Sequence, residues 1–254
     1  MENYAGKKAV VIGGTHGMGL AVVKKLLKGG AEVLLTGNNE RNVEAAEREL
    51  ASEAAHVVRS DMRSLAQIEQ LAATVADRFG TIDFVHYNAG LAALEPFELV
   101  TEESYDLAFD INTKGAFFTV QKLASIINEG GGVVFTSSVA DVGGTSALVT
   151  YSGAKAAVLG LARGIAGALI PRKIRVNVVC PGFIDTPTMG IVGLNNEERA
   201  AFMETGDRIT PMKRHGSVDE VADAVLFLGF DATYTTGERL TVDGGISQSI
   251  EIPA

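Results

Sequence analysis

The chain has 254 residues, 46% hydrophobic and 21% charged, which is enough apolar material for one sizeable core and excludes a disordered polymer. Its 22 Lys and Arg against 31 Asp and Glu leave a net charge of -9, which disfavours nucleic acid and anionic membrane surfaces as partners and points to a small molecule. One cysteine, Cys180, rules out an internal disulfide and a thiolate metal cluster, no run reaches ~18 uninterrupted apolar residues, and no signal peptide precedes Gly13-Gly14, so we expect one domain over residues 1–254, without metal, in the reducing cytoplasm.

The first unit reads as a short buried strand over 7–12, a turn Gly13-Gly14-Thr15-His16-Gly17-Met18-Gly19, and a helix over 20–28. A glycine turn between strand and helix lets backbone approach an anion while the helix N-terminus points its N–H groups at it, so a nucleotide phosphate is expected here. The second strand, 31–36, ends in Gly37-Asn38-Asn39. An acidic residue at that point would accept hydrogen bonds from a free ribose 2′-hydroxyl and repel a 2′-phosphate; none is present. Thr36, Asn38, Asn39 and His16 offer neutral or weakly cationic groups, and Arg41 already lies on the next helix, 40–50. NADP(H) is therefore favoured over NAD(H), and Asn39 is also suited to cap that helix.

A third strand, 55–59, leads through Ser60-Asp61-Met62 to a helix over 65–79, where Asp61 is placed either to contact adenine or to stabilise the helix start. The fourth strand, 82–87, runs into Asn88-Ala89-Gly90, small enough to lie against a nucleotide. The strand–helix alternation predicts a parallel sheet. Two helices, 102–111 and 114–128, are expected to join near Asn112, which is placed to cap them or to hold a water.

After a strand over 133–136 comes Ser138, and the Gly143-Gly144 loop can return the chain so that this hydroxyl faces Tyr151. Tyr151 and Lys155 are four apart and share one face of a helix reaching about residue 170. A cation beside a phenol draws its pKa down from about 10 toward the working range. Small residues Ala154, Ala157, Gly160, Gly164 and Gly167 on that helix suit close packing within the subunit or across a dimer. Cys180 ends the strand 174–179 as a packed core thiol, and Pro181-Gly182-Phe183-Ile184-Asp185-Thr186 follows. Residues 187–214 form a polar insertion that reads as a mobile substrate lid. A helix over 218–228, a strand over 239–242 and Asp243-Gly244-Gly245 close the pattern.

Taken together, Gly13-x-x-x-Gly17-x-Gly19, Asp61, Asn88-Ala89-Gly90, Asn112, Ser138, Tyr151-x-x-x-Lys155, Pro181-Gly182 and Asp243-Gly244-Gly245 resemble the short-chain dehydrogenase/reductase family over essentially the whole chain. The resemblance implies a Rossmann-type α/β domain, doubly wound, with seven parallel strands in the order 3-2-1-4-5-6-7, a nicotinamide dinucleotide, and a homotetramer or dimer. It implies that Tyr151 is the general acid or base, that Ser138 polarises the substrate carbonyl, that Lys155 holds the nicotinamide ribose, and that Asn112 holds a water linking Lys155 to solvent. It places Gly13, Thr15, His16, Gly17, Met18 and Gly19 around the pyrophosphate, Asn38, Asp61, Met62, Asn88, Ala89 and Gly90 along the adenosine half, and Pro181, Gly182, Ile184 and Thr186 beside the nicotinamide. Two positions depart from the family pattern: Ile12 replaces a common threonine, and Asn38 replaces the arginine frequent in NADP(H)-preferring members, which leaves His16 as a candidate contact to the 2′-phosphate.

The implied activity is interconversion of a ketone and a secondary alcohol, in the direction of a ketoreductase. A non-catalytic dinucleotide-binding sensor on the same fold is the alternative, although it has no need of Ser138, Tyr151, Lys155 and Asn112 together. Residues Leu91 to Leu94, Val139 to Val149, Phe183, Met189, Ile191 and Leu194 are expected to line the substrate pocket, with Asp141 as a polar contact. That lining suits an apolar or cyclic ketone.

Overall fold

Apolar, β-branched runs form the seven strands of the computed structural model, which describes residues 3–144, 146–187, 191, 195–248 and 250. They are β1 (Lys8–Ile12), β2 (Glu32–Gly37), β3 (Ala55–Arg59), β4 (Ile82–Tyr87), β5 (Ile127–Thr136), β6 (Arg175–Pro181) and β7 (Arg239–Val242). All pair in parallel in the order β3-β2-β1-β4-β5-β6-β7. Central strands covered on both faces read as unbroken hydrophobic runs rather than alternating ones, as in Ala9-Val10-Val11-Ile12.

The faces take different helices. Val10, Ile12, Val85 and Val133 pack against α3 (Leu65–Phe79), α5 (Gly115–Leu123) and α6 (Val149–Leu169). Ala9, Val11, Val33 and Leu35 pack against α1 (Gly17–Lys28), α2 (Glu40–Leu50) and α8 (Val218–Leu226). A right-handed crossover between parallel strands produces this two-layer cover and leaves the carboxyl ends of the strands open as a ligand edge.

Several boundaries differ from the sequence reading. The expected break at Asn112 is absent: α4 (Glu102–Phe109) runs through one π-helical turn, Asp110–Lys114, straight into α5. No capping residue is needed where the axis continues. Helical structure there ends at Ile126, and β5 begins at Ile127 rather than at 133, with Gly130, Gly131 and Gly132 carried inside the strand. Close packing explains one of these glycines, since a Cβ on Gly132 would lie 2.4 Å from the Gly229 carbonyl oxygen.

The insertion 187–214 contains a helix that the composition masked, α7 (Asn196–Ile209), opened by a capping box in which Asn195 and Glu198 bond each other's backbone N–H groups. It is seated by three contacts: Arg199 with Asp185 at 3.1 Å, Phe202 against Phe183 with ring centroids 5.2 Å apart, and Asp207 with His215 at 2.6 Å. Among the described residues one helical stretch, Val149–Arg172, has the length and apolarity to cross a membrane. Here it lies along β6 with Ala154, Val158, Ala162 and Ala166 buried in the core.

Candidate active site

At the carboxyl edge of β1, the backbone of Gly13 passes so close to β4 that a Cβ would sit 2.7 Å from the Ala89 nitrogen; its φ of +76 also calls for glycine. A Cβ on Gly19 would lie 2.1 Å from the Gly13 carbonyl oxygen. These two contacts press turn, helix and strand end together, so the N-terminus of α1, which begins at Gly17, opens onto the edge of the sheet. Thr36, across from Ile12 on β2, braces the start of the turn. Its hydroxyl accepts from Gly13 N–H at 3.3 Å and its carbonyl from Gly14 N–H at 2.9 Å, while Ile12 is buried in the core.

A chain of hydrogen bonds fixes the far wall. The His86 Nε2 lies 2.9 Å from the Thr136 hydroxyl, which donates to Asn88 Oδ1 at 3.1 Å, and Asn88 Nδ2 donates to the Gly13 carbonyl at 3.1 Å. Asn88 thus serves the cradle as a strut. Two polar atoms near this edge, His16 Nδ1 and Ser60 Oγ, are buried without a partner among the described residues. Orphaned polar atoms beside a helix N-terminus and a glycine-lined gap fit a phosphate-bearing ligand. Thr15 lies beneath Gly37, Met18 packs against the core, and Thr186 stands over Gly17, where a Cβ would be 3.6 Å from its methyl.

The proton-transfer candidates converge beside this cradle. Ser138, just past β5, accepts from Ala140 N–H at 3.2 Å, and its hydroxyl is within hydrogen-bonding reach of the Tyr151 phenol. Lys155, one turn further along α6, is 3% exposed; its ammonium donates to the Thr136 carbonyl at 2.9 Å and lies 5.7 Å from the Tyr151 ring centroid. Burial dominates both groups. It pushes the Tyr151 phenol up to about 12, with the Ser138 contact pulling the other way, and brings Lys155 down to about 8. Tyr151 is half-buried, and the lysine beside it does not outweigh that burial.

Asn112 lies in the π-helical turn with its amide turned inward. Its Nδ2 donates to the carbonyls of Leu91 and Ala108, both at 2.9 Å, and its Oδ1 accepts from Leu91 N–H at 3.2 Å. Both amide protons are spent on backbone, which leaves one acceptor site on Oδ1 for a water. Gly90 lies between Asn112 and Lys155: a Cβ there would be 2.9 Å from Asn112 Oδ1 and 3.1 Å from Lys155 Nζ.

Other predicted residues are drawn into structural work. The Asp61 carboxylate is gripped by Arg63, which holds it below the usual carboxylate range, and Ser64, not Asp61, caps α3. The Met62 side chain is buried, with the Thr119 hydroxyl 3.5 Å from its sulfur. Asn39 caps α2 by accepting from Asn42 N–H at 3.1 Å. Gly182 follows Pro181 at the end of β6 and meets Asp243, whose Cα would be 2.9 Å from a Cβ. Ile184 is buried and bridges to Gly216, and the Thr186 carbonyl accepts from Arg199.

Within the expected pocket, Ala92 and Ile191 form a parallel bridge that joins the loop after β4 to the insertion. Leu94, Val142 and Val149 are exposed, while Met189 and Leu194 lie outside the described residues. Asp141 is not a polar wall of this pocket. Its side chain has no exposure, because Arg239 binds it through Nε at 3.1 Å and Nη2 at 2.5 Å.

One residue was missed altogether. The β2–β3 register places Arg59 opposite Gly37, and its Nε donates to the Asn38 carbonyl at 3.1 Å. An exposed guanidinium thus stands on the turn after β2, 3.7 Å from the Glu40 carboxylate. The signal was a cation ending the adjacent strand, legible once the register is known.

A family model described as "Enoyl-(Acyl carrier protein) reductase" matches residues 13–247. A 3alpha-hydroxysteroid dehydrogenase of Mediterraneibacter gnavus is 35% identical over 245 residues, covering 94% of this chain and 96% of its own. Among solved structures, a short-chain dehydrogenase/reductase from Serratia marcescens superposes with a TM-score of 0.87 at 29% identity, over 97% of this chain and 100% of the other. A blue fluorescent protein from a metagenomic library, in complex with NADPH, gives 0.85 at 30% identity over 96% and 99%.

Proposed function

We propose a specific activity for this chain, which belongs to the short-chain dehydrogenase/reductase family: reversible interconversion of a ketone and a secondary alcohol by Ser138, Tyr151, Lys155 and Asn112, within one domain spanning residues 1–254. The observation that carries it is the meeting of a serine hydroxyl, a phenol and a buried ammonium at the edge of a glycine cradle. A nicotinamide dinucleotide, when bound, supplies or accepts the hydride.

In the reducing direction the Tyr151 phenol gives its proton to the substrate oxygen, and the Ser138 hydroxyl steadies the charge developing there. A phenol held up to about 12 keeps its proton at neutral pH, which suits donation to a carbonyl better than removal of an alcohol proton. Lys155 places a cation beside Tyr151 and holds the ribose, and Asn112 fixes Leu91 at the rim while leaving one acceptor for a water. Gly13, Gly17 and Gly19 hold the pyrophosphate. Residues 187–214, with α7, act as the lid.

NADP(H) is preferred, because Arg59 supplies at the Gly37-Asn38 turn the cation that Asn38 lacks. Arg59→Gln is expected to weaken NADPH binding about tenfold, the worth of one charge-assisted contact, and to leave NADH binding unchanged. Calorimetric titration with each nucleotide checks this, and an equal loss for both would refute it.

The substrate is an apolar or cyclic carbonyl compound, in keeping with exposed Leu94, Val142 and Val149 around the loop and with a hydroxysteroid dehydrogenase among the relatives. A homo-oligomer is proposed from the uncovered small-residue face of α6, where Gly160, Gly164 and Gly167 meet nothing within 4 Å. The test of the activity is oxidation of NADPH and NADH over a panel of aliphatic, cyclic and β-keto ester ketones. Nucleotide binding without turnover on any ketone, or on the corresponding alcohols, would favour the sensor.

A further inference from the structure

Beneath the Ser138–Tyr151–Lys155 cluster lies a second group of polar side chains that the reaction does not consume. Asp141 ends a single 3-10 turn, Val139–Asp141, that starts next to Ser138. Arg239, the first residue of β7, binds its carboxylate at both oxygens. The Cys180 thiol of β6 donates to Asp141 Oδ2 at 3.2 Å. The Ser137 hydroxyl lies 3.2 Å from the same oxygen and 3.0 Å from the Lys155 carbonyl, so its single proton serves one or the other. A carboxylate and a guanidinium, 98 residues apart in sequence, thus meet on the turn that follows Ser138 and beside Ser137, whose hydroxyl also reaches the Lys155 carbonyl.

We infer that Asp141 and Arg239 form a buried charge pair that positions Ser138 and Lys155 and sets the balance of charge felt by Tyr151 and Lys155. This rests on the oxidoreductase reading above. Stability alone is a weak reason for such a pair, since a buried ion pair is commonly replaced by apolar residues without loss. Location supplies a better one: Asp141 shares Ser137 with the Lys155 backbone, and its turn carries Ser138.

The carboxylate acts electrostatically on both groups, opposing ionisation of Tyr151 and favouring the Lys155 cation. The charged and titratable groups in play are Lys155 on α6 itself, Cys180 from β6, Asp141 from the turn, and Arg239 from β7 with Asp243 beyond it. Burial and the carboxylate push the Cys180 thiol up, so it stays protonated and serves as a donor. Asp141 favours the Lys155 cation, and a guanidinium bound to that carboxylate offsets its field, so removing Asp141 alone and removing Arg239 alone are expected to shift Lys155 in opposite directions.

The experiment is a 13Cε-lysine NMR titration of the full chain, with the Lys155 signal assigned by its loss in Lys155→Met. Asp141→Asn is expected to move the Lys155 midpoint down by about one pH unit and Arg239→Gln to move it up by about as much, while the double variant returns near wild type. A purely structural pair lowers thermal midpoints without splitting the two shifts by sign. Either single variant, folded and titrating as wild type, overturns the inference. Should neither fold, Arg239→Lys, which keeps the charge, takes their place: a Lys155 midpoint within about 0.3 pH unit of wild type is expected, and a shift of about one unit overturns the inference. No turnover is needed for the reading, so an inactive chain sinks the activity while the charge pair is still measured. In an active chain, the high-pH fall in carbonyl reduction moves with the NMR midpoint in the same direction.

Discussion

Tyr151→Phe is expected to lower carbonyl turnover by about a thousandfold while nucleotide affinity stays within twofold. The substitution removes one oxygen from a half-buried side chain and leaves the ring against Lys155, so the packing of α6 persists. What disappears is the phenol beside the Ser138 hydroxyl, the proposed proton donor to substrate. Positioned acid catalysis contributes about 10² to 10⁴ in rate, and a thousandfold corresponds to about 4 kcal/mol of transition-state stabilisation. Serine lacks a way to replace it: its hydroxyl is a far weaker acid, and Ser138 is already held by Ala140 N–H. Steady-state kinetics with a ketone found in the panel, together with nucleotide titration, checks both halves. Turnover near wild type would remove Tyr151 from the mechanism.

Lys155→Met is expected to separate activity from stability. The rate should fall about a hundredfold and nucleotide affinity about tenfold, since the cation beside Tyr151 is lost and the ribose loses its holder. At pH 7 folding stability should change by no more than about 1 kcal/mol, because the variant relieves a desolvated ammonium while leaving the Thr136 carbonyl without its donor. The pH dependence supplies a second signature. Lys155 is brought from 10.5 to about 8, so between those values the unfolded chain binds the extra proton and wild-type stability rises with pH; the variant lacks that rise. Carbonyl reduction in wild type should fall as pH passes about 8, where the ammonium discharges, and Lys155→Met should lose that limb. Urea unfolding across pH 7 to 11, run beside the rate profile, tests each sign.

The residues that make contact through local spacing were readable beforehand. Tyr151 and Lys155 share a helical face because 3.6 residues make a turn, and the glycines from Gly13 to Gly19 announce a backbone that must come close to something. Strand order followed from the family resemblance and is what the sheet shows. Two of the failures come from long-range geometry. Nothing near Asp141 in sequence reveals Arg239, and nothing near Asn38 reveals Arg59, because each partner arrives through sheet topology or register. The π-helical turn at Asn112 has no compositional marker, so a continuous axis was read as two helices. Helix α7 did carry a marker, Asn195 with Glu198 three residues later, but the polar run around it was read as a mobile lid without a helix being assigned.

The hydrogen-bond strut from His86 through Thr136 and Asn88 to Gly13 has a consequence for acid tolerance. His86 is wholly buried on β4, and burial lowers its pKa from 6.5 to about 3. With Nε2 as the donor, the neutral ring orients every later group in the strut, and a second proton would place an uncompensated charge in the core. Between pH 6.5 and about 3 the unfolded chain takes up that proton while the folded chain refuses it, so acid drains stability through this one ring. The same residue that braces the glycine cradle at neutral pH thereby gives acid one route to weakening it.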